Sequence, residues 1–207
     1  LKFLTMPLKV NNMEKTIAKT KFLDFKAAKS PSGHDWYYVK RTNDKKDSDS
    51  AVVIVPVVKI ENEYNFLFIK TSRPPITAEN KAKFCLEFPA GLIGDINCNE
   101  TLLECAKKEL LEETGLVASE IFLELINSST SAGLSSETLS YVTAIINNST
   151  KTQPPVTDGG IIVDWHYVSI KKVDEFLKTI NQKEISIASP TLCALYLAKN
   201  RLENIEK

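Results

Sequence analysis

The chain lacks an excess of charge of either sign. Its 26 Lys and Arg balance 26 Asp and Glu over 207 residues, and the pI is about 6.9. A nucleic-acid binder that works by phosphate neutralisation needs a basic face, and so does a polybasic membrane-surface protein, so neither partner is expected. Histidine is scarce, with only His34 and His166. The four cysteines (Cys85, Cys98, Cys105, Cys193) include no Cys-x-x-Cys pair, which leaves little for a Cys/His zinc centre. They read as small, mostly buried apolar residues of a reducing compartment, and the cytoplasm (or the nucleus of a eukaryote) is the expected location. Seven glycines and nine prolines are too few for a collagen-like or disordered chain. No apolar run approaches the ~18 residues of a membrane helix. The opening LKFLTMPLKV has no initiator Met, and Pro7 and Lys9 break its apolar run too soon for a secretory signal.

What is present is 43% apolar residues, enough for one core at this length. Residues 1–35 are expected to form an arm with an edge strand near Lys21–Phe25, and residues 36–207 one domain. Trp36–Arg41 is a short aromatic strand after the Pro31-Ser32-Gly33 turn. Ala51–Lys59 is a β-branched run suited to burial on both faces, with Pro56 implying a bulge or interruption. Tyr64–Lys70 pairs with it across a tight turn. A loop at 71–83 leads to a strand over Phe84–Leu92. Leu102, Leu103, Ala106, Leu110 and Leu111 repeat at helical spacing within Thr101–Thr114, where Asn99 can cap the start and Gly115 the end. Strands follow at Ile121–Ile126, Thr138–Ile146 and Ile161–Val168, with a long loop at 147–160, then helices at Lys171–Ile180 and Pro190–Ile205. Strands alternate with helices outside strict βαβ order, which favours a mixed sheet sandwiched between helices, an α/β (α+β) fold.

One feature has the wrong sign for a helix. Glu109, Glu112 and Glu113 sit at i, i+3 and i+4, so their carboxylates share one face. They crowd the C-terminal turns, where the macrodipole is negative, and repel one another, each effect costing ~0.3–1 kcal/mol. A solvated face with ion pairs to Lys107 and Lys108 is one reading. A hard divalent cation, which prefers carboxylate oxygens, would reverse every unfavourable contribution.

The spacing decides between them. Gly94, Glu100, Lys108, Glu109, Leu110, Glu112, Glu113, Gly115 and Leu116 resemble the Nudix box, G-x5-E-x7-R-E-U-x-E-E-x-G-U, where U is bulky and apolar. Eight of nine fixed positions agree over 23 residues, with Lys108 in place of Arg. The resemblance implies the α/β/α Nudix fold and hydrolysis of a nucleoside diphosphate linked to another group. It implies Glu109, Glu112 and Glu113 as ligands for Mg2+ (or Mn2+), with Gly94, Glu100, Lys108 and Gly115 in support and Lys108 in a looser pair with Glu100 than Arg would make. The flanks Glu87-Phe88-Pro89-Ala90-Gly91-Leu92, Trp36 with Arg41, Arg73-Pro74-Pro75 and Ala132-Gly133-Leu134-Ser135 look like the ADP-ribose pyrophosphatase branch. From that branch come a carbonyl ligand at Ala90, stacking of Trp36 on adenine, substrate contacts at Arg41, Arg73, Glu87, Gly133 and Leu134, and a homodimer with exchanged N-terminal arms.

That branch has a loop Glu as catalytic base before its last strand, where this chain reads Thr157-Asp158-Gly159-Gly160 and has no Glu. Asp158, Glu137 and activation through Glu112 at the metal cluster are the alternatives. No Trp lies in the arm for a second stacking partner; Phe22 or Phe25 could substitute, though packing suits either better. The expected substrate is ADP-ribose or a related nucleotide-sugar. The rivals are another nucleoside diphosphate derivative, an oxidised nucleotide, or a sensor that binds without turnover.

The neutral total conceals an asymmetry. Residues 87–116 hold seven acids against two bases, and the rest of the chain holds 24 bases against 19 acids. An acidic site suited to cations sits in a mildly basic body that an anion can approach.

Overall fold

The computed structural model describes residues 14–42, 49–95, 97–147 and 161–205. Its spine is β4 (Ala51–Ile60), whose alternate side chains feed two separate cores. Val53, Val55 and Val57 face one, and Val52, Ile54 and Val58 the other. This two-sided burial is what the β-branched run predicts, and it requires a layer on each face.

Among the described residues, the main sheet has eight strands. β4 pairs in parallel with β9 (Thr138–Ile146), which pairs antiparallel with β8 (Glu120–Ser129). On its other side β4 meets β5 (Glu63–Thr71), which carries β10 (Ile162–Ser169) along its far edge. One layer is α2 (Leu102–Thr114), whose Cys105, Ala106 and Leu110 pack with Leu116 and Trp165. The other is α3 (Val173–Thr179) with α4 (Ser189–Ile205), whose Ala194, Leu195, Ala198 and Leu202 pack on Phe66, Phe68 and Phe88. The mixed sheet between helices is the architecture expected of the chain. Among the described residues, no helix is long and apolar enough to cross a membrane.

The β4–β5 hairpin splays at its open end, and that opening positions the site. Over Val57–Ile60 β4 bonds to β5, but over Ala51–Val53 it bonds to β7 (Ala90–Leu92). The end of β5 bonds instead to β6 (Phe84–Glu87), which also pairs in parallel with β11 (Ile185–Ile187). The single strand expected over Phe84–Leu92 is therefore two, broken at Phe88-Pro89 and shared between partners. Pro56 produces no bulge, because β4 runs unbroken through Pro56↔Ala144. Alternation puts the nitrogen of residue 56 on the same side as Ile54, whose N–H reaches the Pro89 carbonyl at 2.8 Å. The missing donor thus falls where β4 changes partner and costs no ladder bond.

The N-terminal region is richer than an edge strand. β1 (Lys15–Lys19), β2 (Leu23–Lys29) and β3 (Asp35–Arg41) form a three-stranded antiparallel sheet with β2 at its centre. Residues 71–83 include a short helix, α1 (Pro74–Ala78), with proline in its first turn as helices tolerate.

Candidate active site

The site is built where α2 ends against the splayed hairpin. Thr101, not Asn99, caps the start of α2: its hydroxyl accepts from the Glu104 N–H, and Glu104 accepts from the Thr101 N–H at 2.8 Å. This T-x-x-E capping box was the available signal. Gly115 ends the helix with φ +73, a left-handed conformation, and its N–H reaches the Leu111 carbonyl at 2.8 Å. The stop leaves Glu109, Glu112 and Glu113 on the last turns, lining a cavity of about 840 Å3. β7 crosses directly over them. A Cβ at Gly91 would lie 2.1 Å from the Glu109 carboxyl carbon, so no larger residue fits without displacing that side chain.

Glu113 is the most perturbed carboxyl of the cluster. Burial pushes it up to about 8, and the charge of Glu109 acts in the same direction, against the Ala90 N–H and Arg73, which lower it. That Ala90 N–H donates to Glu113 Oε2 at 3.2 Å. Burial also raises Glu109, opposed by Lys108. Lys108 replaces the arginine of the motif with a hub of charge: Nζ lies 3.2 Å from Asp95, 3.2 Å from Glu100 and 3.3 Å from Glu109. Burial would lower its pKa, but hydrogen bonds to Asp95 and Glu100 and the Glu109 charge hold it above the ordinary lysine range. Glu100 also accepts the Gly94 N–H at 3.2 Å, which ties the loop before α2 to the helix.

Two arginines line the same cavity. Arg41, at the end of β3, donates from Nε to Glu137 at 2.7 Å. Arg73 donates from Nε to Glu87 Oε2 at 2.9 Å, and Thr71 donates its hydroxyl to the same oxygen at 2.6 Å. Arg41, Arg73, Glu87 and Glu137 all line the cavity with the three glutamates and Ala90. The structure therefore gathers eight of the expected residues into one space. Trp36, Gly133 and Leu134 do not line it. The exposed Trp36 indole donates to the Gly133 carbonyl at 2.9 Å, and Leu134 is exposed beside it. Asp158 lies outside the described residues. Phe22 is exposed and Phe25 stacks on Tyr37 at 5.8 Å.

Several contributors carry no sequence signal. Trp165 of β10 donates its indole N–H to the Glu113 carbonyl at 2.8 Å, satisfying one of the carbonyls that the end of α2 leaves unpaired. Thr71, Thr130 and Thr191 add hydroxyls to the cavity wall, and Asp95 adds a carboxylate. Of the cysteines, two are buried and Cys98 is exposed, so the expectation of mostly buried thiols is only half met. Burial pushes the Cys105 thiol up to about 12, which leaves it inert next to the site.

The donor set, carboxylate oxygens of Glu109, Glu112 and Glu113 lining one cavity, is the kind a hard divalent cation prefers. Among the described residues, no three such side chains already stand at metal-holding spacing. Lys108 and the Ala90 N–H each engage one oxygen, on Glu109 and Glu113, so cation binding requires these side chains to rotate.

Comparison with known proteins places this geometry. The NUDIX domain profile matches residues 49–188. An uncharacterised Nudix hydrolase of Schizosaccharomyces pombe is 29% identical over 189 residues, covering 87% of this chain and 86% of that protein. The ADP-sugar pyrophosphatase of Mus musculus is 35% identical over 107 residues, which span 49% of this chain and 45% of that protein. An ADP compounds hydrolase superposes with a TM-score of 0.59 at 17% identity, with 92% of each chain covered. The NUDIX domain of Shewanella oneidensis NrtR, complexed with ADP ribose, gives 0.54 at 20% identity, covering 76% of this chain and 90% of that one. At these identities the two structures bear on the fold alone. Nudix hydrolases generally use divalent metals such as Mg2+. With the profile spanning more than half of the chain, and both the box glutamates and the splayed hairpin inside its limits, the chain belongs to the Nudix family.

Proposed function

We propose that the chain is a Mg2+-dependent hydrolase of ADP-ribose or a related ADP-sugar, releasing AMP and a sugar phosphate. The observation that carries this reading is the meeting of three carboxylates and two guanidinium groups across one cavity. A pyrophosphate is polyanionic and repels a nucleophile. Arg41 and Arg73 supply planar, charge-assisted hydrogen bonds to its oxygens. Glu109, Glu112 and Glu113 hold the cation, Mg2+ or Mn2+, with Ala90 beside them. Bound there, the cation would neutralise phosphate charge and lower the pKa of an attacking water. Water attacks one phosphorus, the bridging P–O bond breaks, and the second phosphate leaves with its sugar. Glu112 and Glu137, on the cavity wall, and Asp158 are the candidates to take the water's proton.

The choice of adenosine rests on the likeness to the mouse ADP-sugar pyrophosphatase. Trp36 offers an exposed indole face outside the cavity, suited to stacking on a base. A homodimer is part of the reading: Phe22, Phe25 and Tyr37 leave apolar surface uncovered on the three-stranded sheet, a patch a second copy would bury. Residues 1–35 would then serve as the dimer arm of a domain over 36–207. Four free cysteines suit the reducing cytoplasm.

The test is AMP release from ADP-ribose with and without Mg2+. Turnover should need the metal and fall by at least ~100-fold, the scale of a lost transition-state contact, in Glu112→Gln and in Glu113→Gln. ADP-glucose, GDP-mannose and 8-oxo-dGDP, assayed alongside, rank the substrates. An unchanged rate in Asp158→Ala excludes Asp158 and leaves Glu112 or Glu137 as the base. Tight binding of ADP-ribose without turnover under any divalent metal would replace the hydrolase with a sensor.

A further inference from the structure

The two cavity arginines share a geometry that neither sequence motif nor family likeness requires. Arg41 gives Nε and Nη2 to a single oxygen of Glu137, at 2.7 and 2.6 Å. Arg73 gives Nε to a single oxygen of Glu87, which Thr71 also engages. A guanidinium has five N–H groups in a fixed plane. In both pairs the Nε side is taken, and N–H groups at the Nη end remain.

Each tether is itself held. The Glu137 N–H donates to Ser135 Oγ at 3.0 Å, and its carbonyl accepts from Thr130. Next to it, β3 is stitched to the 131–136 loop by the Val39 N–H to Leu134 and the Ser136 N–H to Val39. Glu87 closes β6, where the hairpin splays. Among the described residues, the cavity wall contains six carboxylates and two guanidinium groups. An untethered arginine here would be drawn onto the box glutamates and compete with a cation for them.

We propose that Glu137 and Glu87 are positioning residues: they fix Arg41 and Arg73 by the Nε edge, keep them off the acidic turn of α2, and present the Nη ends to a diphosphate. Glu137 is thereby committed to Arg41 and is not the catalytic base. This rests on reading the cavity as a site for a nucleoside diphosphate derivative.

The experiment is a double-mutant cycle on Arg41 and Glu137 in the full chain, with folding checked by circular dichroism. Two probes are titrated calorimetrically with Mg2+ present: inorganic pyrophosphate, and the methylene-bridged analogue of ADP-ribose, which cannot be hydrolysed. Glu137→Ala should weaken both about tenfold in the wild-type background and leave binding unchanged when Arg41→Ala is already present. Glu137→Gln, which keeps an acceptor oxygen, should recover part of the loss. In steady state, KM for ADP-ribose should rise by a larger factor than kcat falls. An equal loss from Glu137→Ala in both backgrounds, or a fall in kcat at constant KM, overturns the positioning role. Pyrophosphate binding with this pattern but no binding of the ADP-ribose analogue would uphold the tethers and sink the adenosine reading; binding of neither overturns both.

Discussion

Two regions build the cavity in opposite ways. The α2–β7 corner contributes three half-buried carboxylates, on a helix that Cys105, Ala106 and Leu110 anchor in a fully buried core. The three-stranded sheet contributes one guanidinium from β3 and otherwise stands largely exposed, with Ile17, Phe22, Phe25, Trp36 and Tyr37 all open to solvent. The corner stores unfavourable electrostatics that only a rigid scaffold can maintain. The sheet is joined to the cavity by a few polar contacts and bears little of that strain. Substitutions that displace or remove the corner's glutamates should therefore cost activity, and removal of one should relieve its stored repulsion, whereas those in the sheet should mainly alter ligand binding.

The largest expected effect comes from Gly91→Ala. Its Cβ would stand 2.1 Å from the Glu109 carboxyl carbon and must displace it. Metal-dependent turnover should drop at least ~100-fold because a carboxylate of the cluster is moved, while stability should fall by only ~1 kcal/mol or less because the atoms displaced are the flexible end of one side chain, read from AMP release and denaturant titration. Wild-type behaviour in both would mean that the corner is not rigid.

The second effect is a pH dependence. The folded-state pKa of Glu113 is raised to about 8, so the folded state binds more protons than the unfolded chain between that value and the ordinary carboxyl range. The contribution is fully present below ~4.5 and is lost as pH rises through about 8. Metal-free protein should lose thermal stability from pH 5 to pH 8, Mg2+ should restore it at the upper end, and Glu113→Gln should flatten the profile. A stability that rises over this window would contradict the burial argument.

Removing the capping box is a smaller change. Thr101→Ala should cost ~1 kcal/mol by chemical denaturation, because it strips the oxygen that accepts the Glu104 N–H. The smallest stability effect belongs to the sheet: Trp36→Phe deletes one exposed hydrogen bond to Gly133, worth ~1 kcal/mol or less. If Trp36 stacks on the base, Trp36→Ala should weaken the ADP-ribose analogue and spare inorganic pyrophosphate.

The division between legible and hidden features follows the range of the interactions. α2 was readable because its apolar spacing, its terminal Gly115 and its misplaced glutamates are all local. The run of valines in β4 announced burial on two faces. The break at Phe88-Pro89 had one local signal, Pro89, which a single strand over Phe84–Leu92 passes over; the sharing of its two halves between different partner strands is long-range and was not readable. β1 and β11 are short and mostly exposed or half-buried, so they leave no periodic pattern. The Arg41–Glu137 and Trp165–Glu113 bonds join residues 96 and 52 positions apart, and no local pattern encodes such pairs. Thr101 with Glu104 was a local signal, and Asn99 was the wrong reading of it.

The central claim is that the acidic end of α2 is a divalent-cation site. Its most direct test is equilibrium binding of Mn2+, followed by the loss of the free-ion paramagnetic resonance signal, in wild type, Glu112→Gln and Glu113→Gln at pH 7.5. Saturable binding to wild type, weakened at least tenfold in either variant while Arg41→Ala binds as wild type does, is the predicted result. Equal Mn2+ affinity in all four proteins, or no binding to any, would contradict the account.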